Sequence, residues 1–150
     1  MRSGTFDVAG IAAFAVAVEL ATTEQAAFAE RISAVRDLLI RRVSEAVPFA
    51  VLSGAGDRLP NNAHFTFPGC EGDALLMLLD AAGIQVSTGS ACTSGVPEPS
   101  HVLLAMGVSE ATARGSLRFT LGRDSTSADV EALVAALPSA VERALRAGGR

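Results

Sequence analysis

Two helical patterns of apolar residues, one near each end of the chain, flank a middle section of short apolar segments. Residues 28–43 and 130–145 each carry an apolar side chain at every third or fourth position, which is the spacing of one helix face. Turn-forming residues such as Pro68-Gly69 separate the short segments between them. Helices that alternate with short strands predict an α/β fold, a small sandwich with a short mixed or antiparallel sheet packed by helices.

The first helical pattern begins close to the N-terminus. Asp7 is a predicted N-cap for a helix that starts near Val8, and Thr22 with Gln25 matches a capping box that would start a second helix. Because residues 8–21 are also rich in alanine on the opposite face, we expect this first helix to be buried on most sides.

The remaining elements follow from local patterns. Predicted strands cover 50–53, 63–67, 84–87 and 116–121, and predicted helices cover 73–81, 100–106, 109–114 and 126–146. We predict one domain over 1–150, in which 1–47 is a connecting segment with long helices and 48–150 is an α/β sandwich that carries a mobile cysteine loop at 87–99.

The charged residues exclude several chemistries. All 12 basic residues of this 150-residue chain are arginine, so the chain acting alone has no lysine for a Schiff base, a phosphate-binding loop or a Ser–Lys dyad. The net charge is −4 and no basic run is present, so we expect neither nucleic acid nor an anionic membrane as partner.

Cysteine content and hydropathy bear on the compartment. Cys70 and Cys92 do not form a disulfide framework, and a reducing, cytoplasmic setting is the expectation. The apolar run 8–21 is expected to be too short to span a bilayer, and Glu19 interrupts it.

The two cysteines have different surroundings. Cys92 lies in a run of Gly, Ser, Thr and Ala, where a thiol is exposed and available as a nucleophile, although a small residue in a flexible loop fits the same pattern. Cys70 lies in a Pro-Gly-Cys-Glu turn, where we expect a structural role because the acidic neighbour disfavours the thiolate.

Three further side chains are candidates for a site. Arg118 lies within an apolar strand and either grips a carboxylate in a cleft or faces water at a sheet edge. His64 is expected to be solvated on the polar face of its strand, and His101 is expected to have a capping or surface role at the start of its helix. The alternative is a Cys–His hydrolase that uses Cys92 with His101 or His64. The Cys and His spacings match no metal-ligand pattern, so no metal site is predicted.

Three segments in order resemble a known family. They are Ser87-Thr88-Gly89-Ser90-Ala91-Cys92-Thr93-Ser94-Gly95, Pro97-Glu98-Pro99-Ser100-His101-Val102-Leu103 and Gly115-Ser116-Leu117-Arg118-Phe119-Thr120-Leu121-Gly122-Arg123. Together they resemble the carboxyl-terminal part of the NifS-like cysteine desulfurases, which are pyridoxal-phosphate enzymes of the class V aminotransferase family. The resemblance implies the small C-terminal domain of fold-type I aminotransferases, preceded by a long connecting helix.

The resemblance also implies residue roles. Cys92 matches the cysteine that takes sulfur from L-cysteine as a persulfide and leaves L-alanine, and Arg118 matches the arginine that holds the substrate carboxylate. Thr5, in Arg2-Ser3-Gly4-Thr5, matches a threonine that reaches the phosphate of pyridoxal 5'-phosphate in the neighbouring subunit of a dimer. The extended loop implies iron–sulfur scaffold proteins or other sulfur acceptors as partners.

The sequence departs from the family in one large respect. The cofactor domain, with its Schiff-base lysine, its stacking histidine and its aspartate, is missing, as if translation began inside a longer gene at Met1. We therefore expect the chain to lack the pyridoxal-phosphate step unless another chain supplies that domain. The alternatives are a stand-alone persulfide carrier and an inactive fragment or association module with an exposed apolar face.

Overall fold

The computed structural model describes residues 4–88 and 99–148. Within that part of the chain, two long helices, near the two ends, enclose three short strands and three short helices. The elements in order are α1 (Val8–Ala46), β1 (Val51–Leu52), β2 (Asn62–Thr66), α2 (Gly72–Asp80), α3 (His101–Ala105), α4 (Glu110–Arg114), β3 (Ser116–Thr120) and α5 (Ser127–Gly148). The α/β fold is confirmed.

The sheet is small and antiparallel, in the order β1-β2-β3. Val51 pairs with Thr66 across β1 and β2, and His64 pairs with Arg118 across β2 and β3. The strand predicted at 84–87 is reduced to one isolated bridge, between Ser87 and Arg118. The reason is local: the Ile84 N–H donates to the Leu79 carbonyl at 2.9 Å, so the backbone at Ile84 still closes α2.

The core lies between the inner face of the sheet and helices α1, α2 and α5. Apolar residues that alternate along β2 and β3 point inward, and the Phe65 ring lies 6.1 Å from the Phe119 ring in an edge-on arrangement. The helical patterns meet them, as predicted. Buried residues of those patterns are Ile32, Leu39 and Val43 from α1 and Val130, Leu133, Leu137 and Val141 from α5.

Helix α1 differs from the prediction in two ways. The Asp7 cap is confirmed, since its carboxylate accepts a hydrogen bond from the Gly10 N–H at 3.0 Å. The predicted restart at Thr22 is wrong, because the Thr22 hydroxyl donates to the Val18 carbonyl at 2.8 Å within one continuous helix. The expected burial of the first half is also wrong, because this 39-residue helix is about 58 Å long and the rest of the fold packs only on its second half.

The exposed half of α1 carries a surface of large apolar side chains. Its members are 47–72% exposed: Val8, Ile11, Phe14, Val16, Val18 and Leu20. On the continuous helix, an 18-residue window is apolar enough to cross a membrane, and none of that window is buried. The apolar segment, expected to be too short to span a bilayer, is therefore long enough once it continues within α1. Core helices of other proteins and N-terminal signal sequences can be equally long and apolar, so this length and composition do not assign a location.

Candidate functional site

Arg118 lies at the edge of the sheet where the cysteine loop begins. Its backbone N–H donates to the Ser87 carbonyl at 2.6 Å, and the Ser87 N–H donates to the Arg118 carbonyl at 3.2 Å. The Arg118 guanidinium Nη2 also donates to the Ser87 hydroxyl at 3.3 Å. Because its strand neighbours Leu117 and Phe119 point into the core, the Arg118 side chain lies on the outer face, where it is exposed.

A second contact fixes the start of the loop against β3. The buried Ser116 hydroxyl donates to the Thr88 carbonyl at 3.1 Å. Ser87 and Thr88 are therefore both tied to the strand that carries Arg118. Cys92, the predicted sulfur nucleophile, follows four positions after Thr88 and lies outside the described residues.

The charge of Arg118 is not neutralised within the described residues. Elsewhere, Arg42 pairs with Glu131 at 2.7 Å and Arg114 pairs with Glu110 at 2.8 Å. Among residues 4–88 and 99–148, no carboxylate forms such a pair with Arg118. An exposed guanidinium without an ion-pair partner has its planar set of donors available for a carboxylate.

His64 stands directly opposite Arg118, and the expectation that it is simply solvated is wrong. The residue is half-buried, and its Nδ1 is shielded from solvent with no hydrogen-bond partner among the described residues. Burial lowers the pKa of the His64 imidazole, and the positive charge of Arg118 lowers it further. The ring is therefore neutral at neutral pH.

Cys70 has the surroundings of a structural residue. It is 2% exposed, and its Sγ lies 4.0 Å from the Val141 carbonyl oxygen in the core. Burial raises the pKa of the Cys70 thiol, and the negative charge of Glu71 raises it further. Both effects disfavour the thiolate, in agreement with the sequence-based interpretation.

Thr5 and His101 lie on other parts of the surface. Thr5 is exposed just ahead of the Asp7 cap, and no hydrogen bond or ion pair described in the structure joins it to Arg118. His101 is exposed at the first position of α3. Across 4–88 and 99–148, no group of three or more His, Cys, Asp or Glu side chains is arranged to hold a metal ion.

The sequence analysis did not assign roles to Ser87 or Ser116, and it did not pair His64 with Arg118. One signal was available: Ser116, Arg118 and Thr120 alternate with apolar residues along β3, which defines a polar outer face. The pairing of that face with His64 depends on strand register, which the sequence pattern leaves open.

The chain belongs to the aminotransferase class-V family, whose model matches residues 1–133. It is 55% identical over 149 residues to an IscS-like cysteine desulfurase of Mycobacterium tuberculosis, and 43% identical over 145 residues to the cysteine desulfurase IscS of Clostridium botulinum. These matches cover 98% and 95% of this chain but 38% and 36% of the relatives. The chain thus corresponds to a portion of the NifS-like cysteine desulfurases.

Solved structures agree. The NifS-like protein of Rickettsia africae superposes with a TM-score of 0.81 at 32% identity, covering 94% of this chain and 36% of that one. The fold predicted from the resemblance, that of a fold-type I aminotransferase portion, is confirmed.

The family depends on pyridoxal phosphate, but the residues present do not make a site for it. The chain has no lysine to hold the cofactor covalently. Thr5, the residue expected to contact its phosphate, is exposed in a shallow depression with Phe6, Asp7 and Phe14.

Proposed function

We propose that this chain is the thiol-bearing and carboxylate-binding portion of a cysteine desulfurase, with the cofactor held by polypeptide outside this sequence. The observation that carries the proposal is the Ser87–Arg118 bridge, which ties the start of the cysteine loop to a guanidinium that has no ion-pair partner among residues 4–88 and 99–148. Cys92 follows Ser87 by five positions in the sequence, and five residues of fully extended chain span at most about 18 Å.

The overall reaction balances with Cys92 as the sulfur acceptor. The L-cysteine carbon–sulfur bond breaks and a sulfur–sulfur bond to Cys92 forms, so L-cysteine and one thiol yield L-alanine and one persulfide. The β-carbon of the substrate is reduced, and the transferred sulfur is oxidised to the sulfane level. In this scheme Arg118 binds the substrate carboxylate through paired N–H donors, a geometry that suits guanidinium better than a point charge.

The wider setting belongs to the same proposal. The persulfide sulfur of Cys92 would pass to a thiol of an acceptor protein, such as an iron–sulfur scaffold. The enzyme would be cytoplasmic. It would work as a homo-oligomer in which Thr5 is directed to a neighbouring subunit.

Complementation tests the proposal. The chain is mixed with a polypeptide covering the rest of the Mycobacterium tuberculosis relative, pyridoxal phosphate and L-cysteine, and L-alanine is measured. We expect L-alanine from the mixture and none from either part alone.

Variants give the assay its controls. C92S should abolish turnover, because no thiol remains to accept the sulfur, and R118Q should lower it through weaker substrate binding. C70S should retain turnover, since Cys70 is buried in the core. L-alanine formation by the C92S mixture at the unmodified rate, or none by the unmodified mixture, would contradict the proposal.

The absence of lysine favours a second candidate, a stand-alone persulfide carrier. A thiolate of Cys92 would attack the terminal sulfur of a low-molecular-weight persulfide, forming the Cys92 persulfide and releasing the donor thiolate. This candidate predicts a gain of one sulfur atom in the intact mass without any cofactor, lost in C92S and kept in C70S. No gain from a persulfide donor would exclude the carrier.

A further inference from the structure

His64 occupies the position directly across β2–β3 from Arg118. Side chains at directly opposite positions lie about 4.5–5.5 Å apart at their Cβ atoms, so they interact. Aspartate or glutamate there would pair with Arg118 and compete with any carboxylate ligand. A neutral imidazole leaves the guanidinium charge available.

The backbone and the side chain of His64 differ in their hydrogen bonding. The His64 carbonyl accepts a hydrogen bond from the Ser53 N–H at 2.8 Å. The Nδ1 atom of its imidazole is shielded from solvent and has no hydrogen-bond partner within 4–88 and 99–148, which is an unfavourable state for a buried polar atom. A leucine or valine would fill this strand position without that cost, so packing alone does not account for histidine.

Arg118 is the charge that faces the ring. From β1, the neighbours Val51 and Leu52 bring no titratable group. Helix α4, which contacts β2, brings Glu110 and Arg114, but these two side chains pair with each other. A proton on His64 is therefore opposed by Arg118, and an anion bound to Arg118 would relieve that repulsion.

We propose that His64 is a positioning residue of the Arg118 site: it leaves the guanidinium free of a competing carboxylate, and it takes up one proton from solvent when a carboxylate binds. Carboxylate binding and proton binding then strengthen each other by the same factor, because linkage is reciprocal. The inference rests on the proposed function, in that Arg118 binds the carboxylate.

The chain contains two histidines, His64 and His101, which makes a nuclear magnetic resonance titration direct. The imidazole signals of the full chain are followed against pH, with and without saturating L-alanine, a carboxylate that carries no thiol. L-alanine affinity is measured over the same pH range for the unmodified chain, H64Q and H101Q.

We expect L-alanine to raise the titration midpoint of His64. L-alanine should bind about threefold to sixfold more tightly below that midpoint than above it, from the Coulomb energy of two charges about 4–6 Å apart with the dielectric screening of water. H64Q should bind with the high-pH affinity at every pH, and H101Q should match the unmodified chain. A purely structural role for His64 would produce none of these pH effects.

R118Q separates the possible failures. If R118Q abolishes L-alanine binding but the ligand leaves the His64 midpoint unmoved, or if H64Q keeps the pH dependence, the role of His64 is refuted while the proposed function stands. If R118Q binds L-alanine as well as the unmodified chain does, the proposed function fails, and this inference fails with it.

Discussion

Gly115→Ala should destabilise the fold at the point where the Arg118 strand begins. A Cβ at Gly115 would overlap the Phe67 carbonyl oxygen and lie 2.7 Å from the Cys70 carbonyl oxygen. Both are backbone atoms that no side-chain rotation can move away. The Gly115 carbonyl also accepts from the Phe67 N–H at 2.8 Å, so separating the two segments weakens that hydrogen bond.

The expected loss can be worked from these contacts. Overpacking costs about 1–3 kcal/mol, and the weakened backbone hydrogen bond costs roughly 1 kcal/mol. A total of about 2–4 kcal/mol corresponds to a fall in Tm of roughly 5–15 °C for a chain of this size. Urea and thermal unfolding followed by circular dichroism measure both quantities.

Gly122→Ala is the matched control. The nearest atom to a Cβ there is the Ser125 hydroxyl oxygen at 4.0 Å, so we expect a change within about 0.5 kcal/mol. A loss below about 1 kcal/mol for G115A, or equal losses for the two variants, would refute the close-approach reasoning.

Three further predictions concern the surroundings of the site. Cys70 should resist iodoacetamide in the native C92S variant and react in urea, because it is buried and its thiol pKa is raised; equal rates in both conditions would contradict its burial. Ser116→Ala should cost about 1 kcal/mol in urea unfolding through the lost hydrogen bond to the Thr88 carbonyl, and an unchanged stability would show that this contact does not hold the loop. The pKa of His64 is lowered in the folded chain, so the unfolded chain takes up a proton on His64 at a higher pH, and the free energy of unfolding should fall as pH drops below about 6.5. H64Q should reduce this dependence of stability on pH. An unchanged dependence in H64Q would show that another group causes it.

Much of the fold was predictable because apolar periodicity reports burial. The helical patterns at 28–43 and 130–145 and the alternation through Phe65 and Phe67 all mark residues that the structure buries. The first half of α1 misled the same rule. Its alanine-rich pattern resembles a core helix, but a pattern shows only that a surface is apolar, and it does not show whether anything within this chain covers that surface.

The site was predictable in parts. Arg118 stood out as a charge in an apolar strand, and Cys92 as a thiol among small residues. The His64–Arg118 pair and the Ser87–Arg118 bridge were not predictable, because both depend on register between segments distant in sequence. The residue roles carried by the resemblance, including that of Thr5, remain predictions.

The most direct test of the account locates the sulfur. After reaction of the complemented mixture with L-cysteine, persulfides are alkylated and the chain is cleaved after glutamate. Cleavage after Glu71 separates Cys70 and Cys92 into different peptides. We expect the additional sulfur atom on the Cys92 peptide, at a level that R118Q lowers. Additional sulfur on the Cys70 peptide alone, or on neither peptide, would refute the role of Cys92.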